Sequence, residues 1–381
     1  MTATPLISAA RRLLANVDRG RGDQADDLLC VPSSAYSDQS RFRDEIDGVF
    51  LRCPLLVALS CDVADPGSFA TLTIVGRSLL VARGDDGVAR AFLNVCRHRG
   101  APITSECFGS ARRFTCPYHS WVYDNQGGLV GTTARQAVDG LDVDGLVELP
   151  TAERSGAVFA VLTPGAPMDV DDWLGDMASA LAILELDKLH RYREGVVADT
   201  GNWKLTMDGY IDGYHIGFLH RKSIGARSIT DRNTYDIYGP HERITFAHKA
   251  ITTMRDRQDD EWDLIASMSL VHFVFPNVST SGLPGRGFML SRILPGSTPR
   301  HSTVEAFQYF HEPMVSPEQI EQAEAKRNLY YQVTTEEDYS TVRSITDALP
   351  SMAGDVFRYG RNEPGNQNAH RWIDALIAAG T

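Results

Sequence analysis

Short apolar runs, each closed by Gly, Asp or Asn, dominate residues 55 to about 162, with turn clusters at Asp85-Asp86-Gly87 and Asp124-Asn125-Gln126-Gly127-Gly128. That punctuation predicts strands joined by tight turns, and hence a small all-β domain. Residues near 38 to 50 carry apolar positions at helical spacing, and Asp169 to Leu186 reads as a second helix. Further on, Leu270-Val271-His272-Phe273-Val274-Phe275 and Arg292-Ile293-Leu294 read as strands, and two final helices are expected to begin near Pro317 and near Asn368. Strands set among long helices give an α+β second half. The expected organisation is an N-terminal helical segment (1–50), an all-β domain (51–162) and an α+β domain (163–381). There are no obvious repeats and no low-complexity linkers.

Chemistry enters at Cys96-Arg97-His98, followed after seventeen residues by Cys116-Pro117-Tyr118-His119. Two thiolates and two imidazoles in paired loops are the ligand set of a Rieske [2Fe-2S] cluster, in which two histidines replace two cysteines on one iron and raise the reduction potential. A structural zinc site is the rival, since tetrahedra of two cysteines and two histidines also use short loop pairs. Order discriminates them. A zinc finger pairs Cys with Cys and His with His, whereas here each loop mixes one of each, so each loop can present its thiolate to one iron and its imidazole to the other. Gly100 and Pro117 restrict the backbone where amides must approach cluster sulfurs.

A second constellation follows Asn202-Trp203-Lys204-Leu205: Asp212, His215 and His220 in Met207-Asp208-Gly209-Tyr210-Ile211-Asp212-Gly213-Tyr214-His215, with His220 five residues on. Two histidines and one carboxylate with open positions make the facial triad of mononuclear Fe(II) oxygenases. A lone His is more often a satisfied core or surface residue; the pair downstream of the Cys/His loops reverses that weighting. Residues at i,i+5 do not share an α-helical face. A π-bulge or local break at Gly217 is therefore expected to let His215 and His220 converge. The carboxylate is sought in Thr334-Thr335-Glu336-Glu337-Asp338. Asp338 lies on a stripe with Val342, Ile345 and Leu349, while Glu336 lines up with Ser340, Arg343 and Asp347. An acid on an apolar face needs a partner such as a metal, so Asp338 is the expected third ligand.

With these motifs the chain resembles the oxygenase alpha subunits of Rieske non-haem iron (aromatic ring-hydroxylating) oxygenases, from about Phe42 to the helix containing Asp338. The resemblance implies an all-β Rieske [2Fe-2S] domain plus a helix-grip (START-like) catalytic domain with an antiparallel sheet. It implies cluster ligands Cys96, His98, Cys116 and His119, and Fe(II) held by His215, His220 and Asp338, the second member of an acidic pair. Asp212 takes the place of the family's bridging acid, which bonds the free nitrogen of His215 and reaches the second cluster histidine, here His119, of a neighbouring subunit. Such a route implies a head-to-tail ring, a homotrimer. Departures are Asp208 where many relatives have Asn, Ser120 for a commoner Gly, and Pro54 for Trp.

Composition adjusts this picture modestly. A chain of 381 residues predicts two to three domains, and a net charge of −12 argues against nucleic acid. No apolar run reaches membrane-spanning length and no secretory cleavage pattern is seen, so a soluble, cytoplasmic protein is expected. Cys30, Cys53, Cys61 and Cys107 are expected as buried free thiols. Arg97, Arg99, Arg112 and Arg113 gather positive charge on the cluster loops, either as solvated loop charge or as a docking patch for an acidic donor, a ferredoxin or flavin reductase. Phe273, Phe275, Phe288 and Met289 are candidate cavity walls, although apolar strand residues are more often core than pocket. The expected activity is that of a terminal oxygenase: electrons from NAD(P)H, O2 and an apolar or aromatic small molecule, with ring hydroxylation foremost and O- or N-demethylation next. The alternative of another class is a Rieske electron-transfer protein with a non-catalytic ligand-binding domain.

Overall fold

A computed structural model describes residues 3–133 and 145–380. Two compact units emerge, one formed by residues 47–188 and the other by 1–46 together with 189–381.

The described residues of 47–188 form three antiparallel sheets. The largest has the strand order Glu148–Leu149, Ala89–Leu93, Arg77–Arg83, Ser68–Ile74 and Phe108–Ser110. A second joins Arg113–Thr115, Val122–Asp124 and Leu129–Gly131, and a third joins Thr151–Arg154, Ala157–Ala160 and Leu55–Leu59. The turn chemistry is local: Asp124 Oδ1 accepts the Gln126 and Gly128 N–H groups at 2.9 and 2.8 Å. Alternation then decides the faces. Phe114 is buried between exposed Arg113 and Thr115, and its ring meets Phe69 edge-on at 5.3 Å. The core so formed includes Phe92, Cys96, Cys116, Trp121 and Tyr123. In place of a single helix over 169–186 there are two short ones, Val170–Leu174 and Met177–Ala182, broken at Gly175 with φ 48°.

The other unit carries a seven-stranded antiparallel sheet in the order His190–Thr200, Ser302–Phe310, Gly287–Pro295, Val278–Leu283, Met268–Val274, His241–His248 and Ser228–Tyr238. Helices Trp203–Ile211 and Tyr339–Ala348 pack on it and on each other, completing the α+β helix-grip arrangement. Helix Pro317–Tyr331 begins where expected, with Ser316 and Gln319 forming a capping box. The last helix starts at Pro364, a few residues before the expected Asn368. The segment near 38–50 is helical, Asp38 capping Arg41, but changes from α to π after Glu45. All six cysteines are free, yet of the four away from the paired loops only Cys53 is buried; Cys30 and Cys107 are exposed. Among the described residues no helix is long and apolar enough to cross a membrane.

The Asn202-Trp203-Lys204 run explains how the helix leading to His215 is fixed. Asn202 accepts the N–H groups of Lys204 and Leu205. Lys204 is buried, donates to the Ala35 carbonyl at 2.6 Å and pairs with the buried carboxylate of Glu45, which also accepts the Trp203 indole N–H at 2.9 Å. Burial pulls the Lys204 ammonium below its ordinary value, and Glu45 opposes that pull.

Candidate active site

Two glycines let the segment after this helix run against strand Ser228–Tyr238. A Cβ at Gly213 would lie 1.6 Å from Asn233 Nδ2, and one at Gly217 would lie 2.1 Å from Thr230 Oγ1. The helix ends at Ile211 and gives way to a 3-10 turn at His215–Gly217, so the expected break is present but is not a π-bulge. The π turn lies instead at Gln332–Asp338, across the site. Its wider winding leads directly into helix Tyr339–Ala348; from the π turn to the end of that helix and one residue beyond, Val342 and Leu349 are buried while Glu336, Arg343 and Asp347 are exposed.

His215, His220 and Asp338 come together, one potential ligand atom from each lying within 4.8 Å of the others. The two Nε2 atoms are 3.1 Å apart; Asp338 Oδ1 is 3.0 Å from His220 Nε2 and 3.5 Å from His215 Nε2. Each imidazole has its own carboxylate on the opposite nitrogen. Asp212 Oδ2 meets His215 Nδ1 at 2.8 Å, and Glu337 Oε2 meets His220 Nδ1 at 2.5 Å. Ser223 Oγ donates to the same Glu337 oxygen at 2.9 Å. This donor set fits a divalent ion of the iron class: imidazoles and one carboxylate converge, and hydrogen bonds behind each ring fix its tautomer. The local field agrees. Burial would lower the His215 pKa, but Asp212 and Asp338 outweigh it and push it up to about 10, so the site favours positive charge.

In the other unit, Cys96 and Cys116 are buried and their thiols hydrogen-bond, while His98 Nδ1 and His119 Nδ1 lie 3.1 Å apart. The two loops are built alike. The Gly100 N–H donates to the Cys96 carbonyl at 2.9 Å and the Ser120 N–H to the Cys116 carbonyl at 3.0 Å, with φ of 79° at Gly100 and 55° at Ser120. Ser120 thus adopts the left-handed conformation that Gly100 takes without strain. Trp121 stacks on His98 with ring centroids 5.0 Å apart. Thiol chemistry separates these cysteines from an ordinary buried one. Burial alone pushes the Cys53 thiol up to about 12. It acts upward on Cys96 too, but hydrogen bonds from Tyr123, the His98 N–H, Cys116 and the Arg99 N–H reverse it and hold the thiol below its ordinary value. A thiol pair facing an imidazole pair, with donors aimed at sulfur, fits a cluster bound asymmetrically, by two cysteines on one iron and two histidines on the other.

The triad borders a cavity of about 820 Å3. Tyr210, Phe246, Leu270, Met289, Phe310 and Tyr330 contribute to its walls. Of the four candidate wall residues Met289 lines it, and Phe273, Phe275 and Phe288 are core, the commoner fate of apolar strand residues. Strand alternation cannot tell a core face from a cavity face. Tyr210, Tyr330 and Tyr339 are tied through their hydroxyls, 2.5 Å for Tyr210 to Tyr339 and 3.2 Å for Tyr210 to Tyr330, which fixes that wall. Sequence reasoning missed Glu337 and Tyr123 as supports, although the acidic pair at 337–338 was a usable signal. It also missed Arg227, Arg286 and Lys326 on the cavity wall, since three distant segments bring them together.

The chain also matches known families. Residues 53–145 match the Rieske [2Fe-2S] domain and residues 186–379 the ring hydroxylating alpha subunit (catalytic domain). Among relatives, the glycine betaine monooxygenase oxygenase subunit of Chromohalobacter salexigens is 31% identical over 221 residues, 58% of this chain and 48% of that protein. The anthranilate 1,2-dioxygenase large subunit of Burkholderia cepacia is 31% identical over 272 residues, 64% of this chain and 60% of that one. The matches thus span about half the length of such relatives. The crystal structure of the quaternary ammonium Rieske monooxygenase CntA in complex with L-carnitine superposes with a TM-score of 0.78 at 22% identity, covering 92% of this chain and 96% of that one. The matched domains imply a Rieske cluster and a mononuclear iron, and by its family match, which spans more than half of its length, the chain belongs to the ring-hydroxylating alpha subunits of the Rieske oxygenases.

Proposed function

We propose that this chain is the terminal oxygenase component of a multicomponent Rieske system. Cys96, His98, Cys116 and His119 would hold the [2Fe-2S] cluster, and His215, His220 and Asp338 the mononuclear iron. The observation that carries this reading is the convergence of His215, His220 and Asp338 on the wall of a cavity of about 820 Å3, a volume suited to a small organic molecule. Bound iron would supply O2 activation, for which the triad leaves coordination positions open. The protein's own part is to orient the two imidazoles, through Asp212 and Glu337, so that both Nε2 atoms would face a bound ion in place of a proton, and to seat the substrate beside them.

Electrons would come from NAD(P)H through a separate ferredoxin or flavin reductase. Arg97, Arg99 and Arg113 are exposed beside the cluster loops and pair with no carboxylate among the described residues, which suits docking of an acidic donor. Asp212 would couple cluster and iron between neighbouring subunits of a homotrimer. Hydroxylation of an aromatic ring is the leading outcome, supported by the aromatic lining and by similarity to an anthranilate dioxygenase. Demethylation is the second, favoured by similarity to a glycine betaine monooxygenase and to the quaternary ammonium monooxygenase fold.

Iron analysis tests the central reading: about three irons per chain for the oxygenase, about two for an electron carrier. With a surrogate donor and NADH, cis-diol formation would mark dioxygenation, and formaldehyde release demethylation. Two irons per chain and no substrate-dependent O2 uptake would sink the proposal.

A further inference from the structure

The cavity is electrically lopsided. Near the triad it holds Asp212 and Asp338, but its wall also carries Arg227, Arg286 and Lys326, from the turn Ile224–Arg227, the hairpin between Val278–Leu283 and Gly287–Pro295, and helix Pro317–Tyr331. Among the described residues none of the three pairs with a carboxylate. Lys326 Nζ is held by backbone alone, donating to the Arg286 and Gly287 carbonyls at 2.8 and 2.7 Å, and stands 6.0 Å from the Phe310 ring centre. Arg286 spends one N–H on the Ile265 carbonyl at 3.0 Å. Glu312 also lines the cavity but is exposed and pairs with none of them.

The neighbouring fields repeat this imbalance. Burial, then Arg286 and Arg227, pull the Lys326 ammonium down to about 8, and no acid opposes them. Burial and Arg286 lower Arg227 as well. His248 on the same wall is lowered first by burial; its bond to the Ala266 carbonyl opposes this, and Arg227 and Arg286 lower it further. Lys326 is half-buried and loses hydration, whereas Arg227 and Arg286 are exposed at the cavity rim; the three like charges repel, and a chain of net charge −12 had ample carboxylates to neutralise them. An acid placed among them would satisfy the open donors at once.

We propose that the substrate is an organic acid, whose carboxylate or sulfonate is held by Lys326, Arg286 and Arg227 while its apolar body lies along Leu270, Met289 and Tyr330 toward the triad. This rests on the reading of the cavity as the oxygenase substrate site and narrows that reading to amphiphilic anions. Uncharged hydrocarbons would leave three cations unpaired.

The test is calorimetric binding to the iron-loaded protein, with no electron donor present. Probes are benzoate, 4-methoxybenzoate, phenylacetate, hexanoate and toluene-4-sulfonate, each against its methyl ester. At least one acid should bind about tenfold or more tightly than its ester. Lys326→Met and, separately, Arg286→Gln should each weaken that acid by about tenfold or more, with a much smaller effect on the ester, and Lys326→Arg should restore most of the loss. Absence of any acid-over-ester preference would overturn the inference. So would equal losses for acid and ester in the variants, which indicate packing. The two readings fail separately: acid binding without a third iron sinks the oxygenase alone, whereas three irons and O2 uptake without acid preference sink the anion site alone.

Discussion

Behind the triad, two carboxylates act on nitrogens that face away from the convergence point, and this division sets what each substitution should do. Asp338→Ala removes a converging oxygen, so the mononuclear iron should be lost while the cluster's reduced EPR signal persists; iron counts near two per chain would register it. Glu337→Gln keeps the ligand set but weakens the bond that orients His220, and should cost about 10–100-fold in iron affinity. If instead Glu337→Gln strips the iron and Asp338→Ala is harmless, the assignment is reversed. Sequence singles out Asp338 because an acid on the Val342–Ile345–Leu349 stripe needs a partner; the acidic pair at 337–338 draws the eye to Glu337 as well, but that its partner is His220 follows from a π turn that periodicity does not reveal. A further acid, Glu242, was silent in sequence because it sits in an ordinary strand run. It is buried, and burial with Asp208 nearby pushes its carboxyl up to about 8. Because that value is raised above the unfolded one, its stabilising contribution is whole below about pH 4.5 and is lost as pH rises toward about 8. Denaturant titrations should therefore show stability falling across that window, by an amount on the order of a few kcal/mol, and Glu242→Gln should flatten the slope.

Helix Trp203–Ile211 carries the triad segment, and its anchoring depends on a residue far upstream. Glu45 receives both Lys204 and the Trp203 indole in the interior. Removing one partner of a buried pair strands the other, so Glu45→Ala should destabilise the fold by about 3–5 kcal/mol. Lys204→Met with Glu45→Leu, which removes both charges, should recover much of that; a double variant no better than the single one would mean that the indole bond or packing dominates. Element type was legible where spacing and turn residues agreed, as for the helix from Pro317 and the strand Met268–Val274. It was not legible where tertiary packing overrode local pattern. The break after Ile211 follows from the close approach of Gly213 and Gly217 to a strand about twenty residues on, and no local rule carries that information.

Across the whole molecule, each compact unit contains one of the two candidate metal sites, so the proposed oxygenase activity would need electrons to pass from a cluster held by one such unit to an iron held by the other kind. Composition and motif spacing made both sites readable, because paired Cys/His loops and a histidine pair with a carboxylate are unusual enough to stand out at any distance. The cationic wall of the cavity was not readable, since its members lie at 227, 286 and 326 and meet only in three dimensions. The electron route is the remaining question, and Asp212 is where it can be tested. Its Oδ2 bonds His215 Nδ1, and its Oδ1 accepts the Tyr214 N–H, so the carboxylate is fixed in place. Asp212→Asn keeps the size and removes the charge. It should retain both metals and normal cluster reduction while turning over at a small fraction of the parent rate. In verified mixed oligomers of Asp212→Asn chains with His119→Ala chains, transfer between subunits would place an intact cluster beside an intact Asp212 and iron in some assemblies. Activity should then partly return, although neither parent variant is active alone. Failure to complement would mean that transfer does not cross the subunit boundary, and Asp212 would act only as the local support of His215.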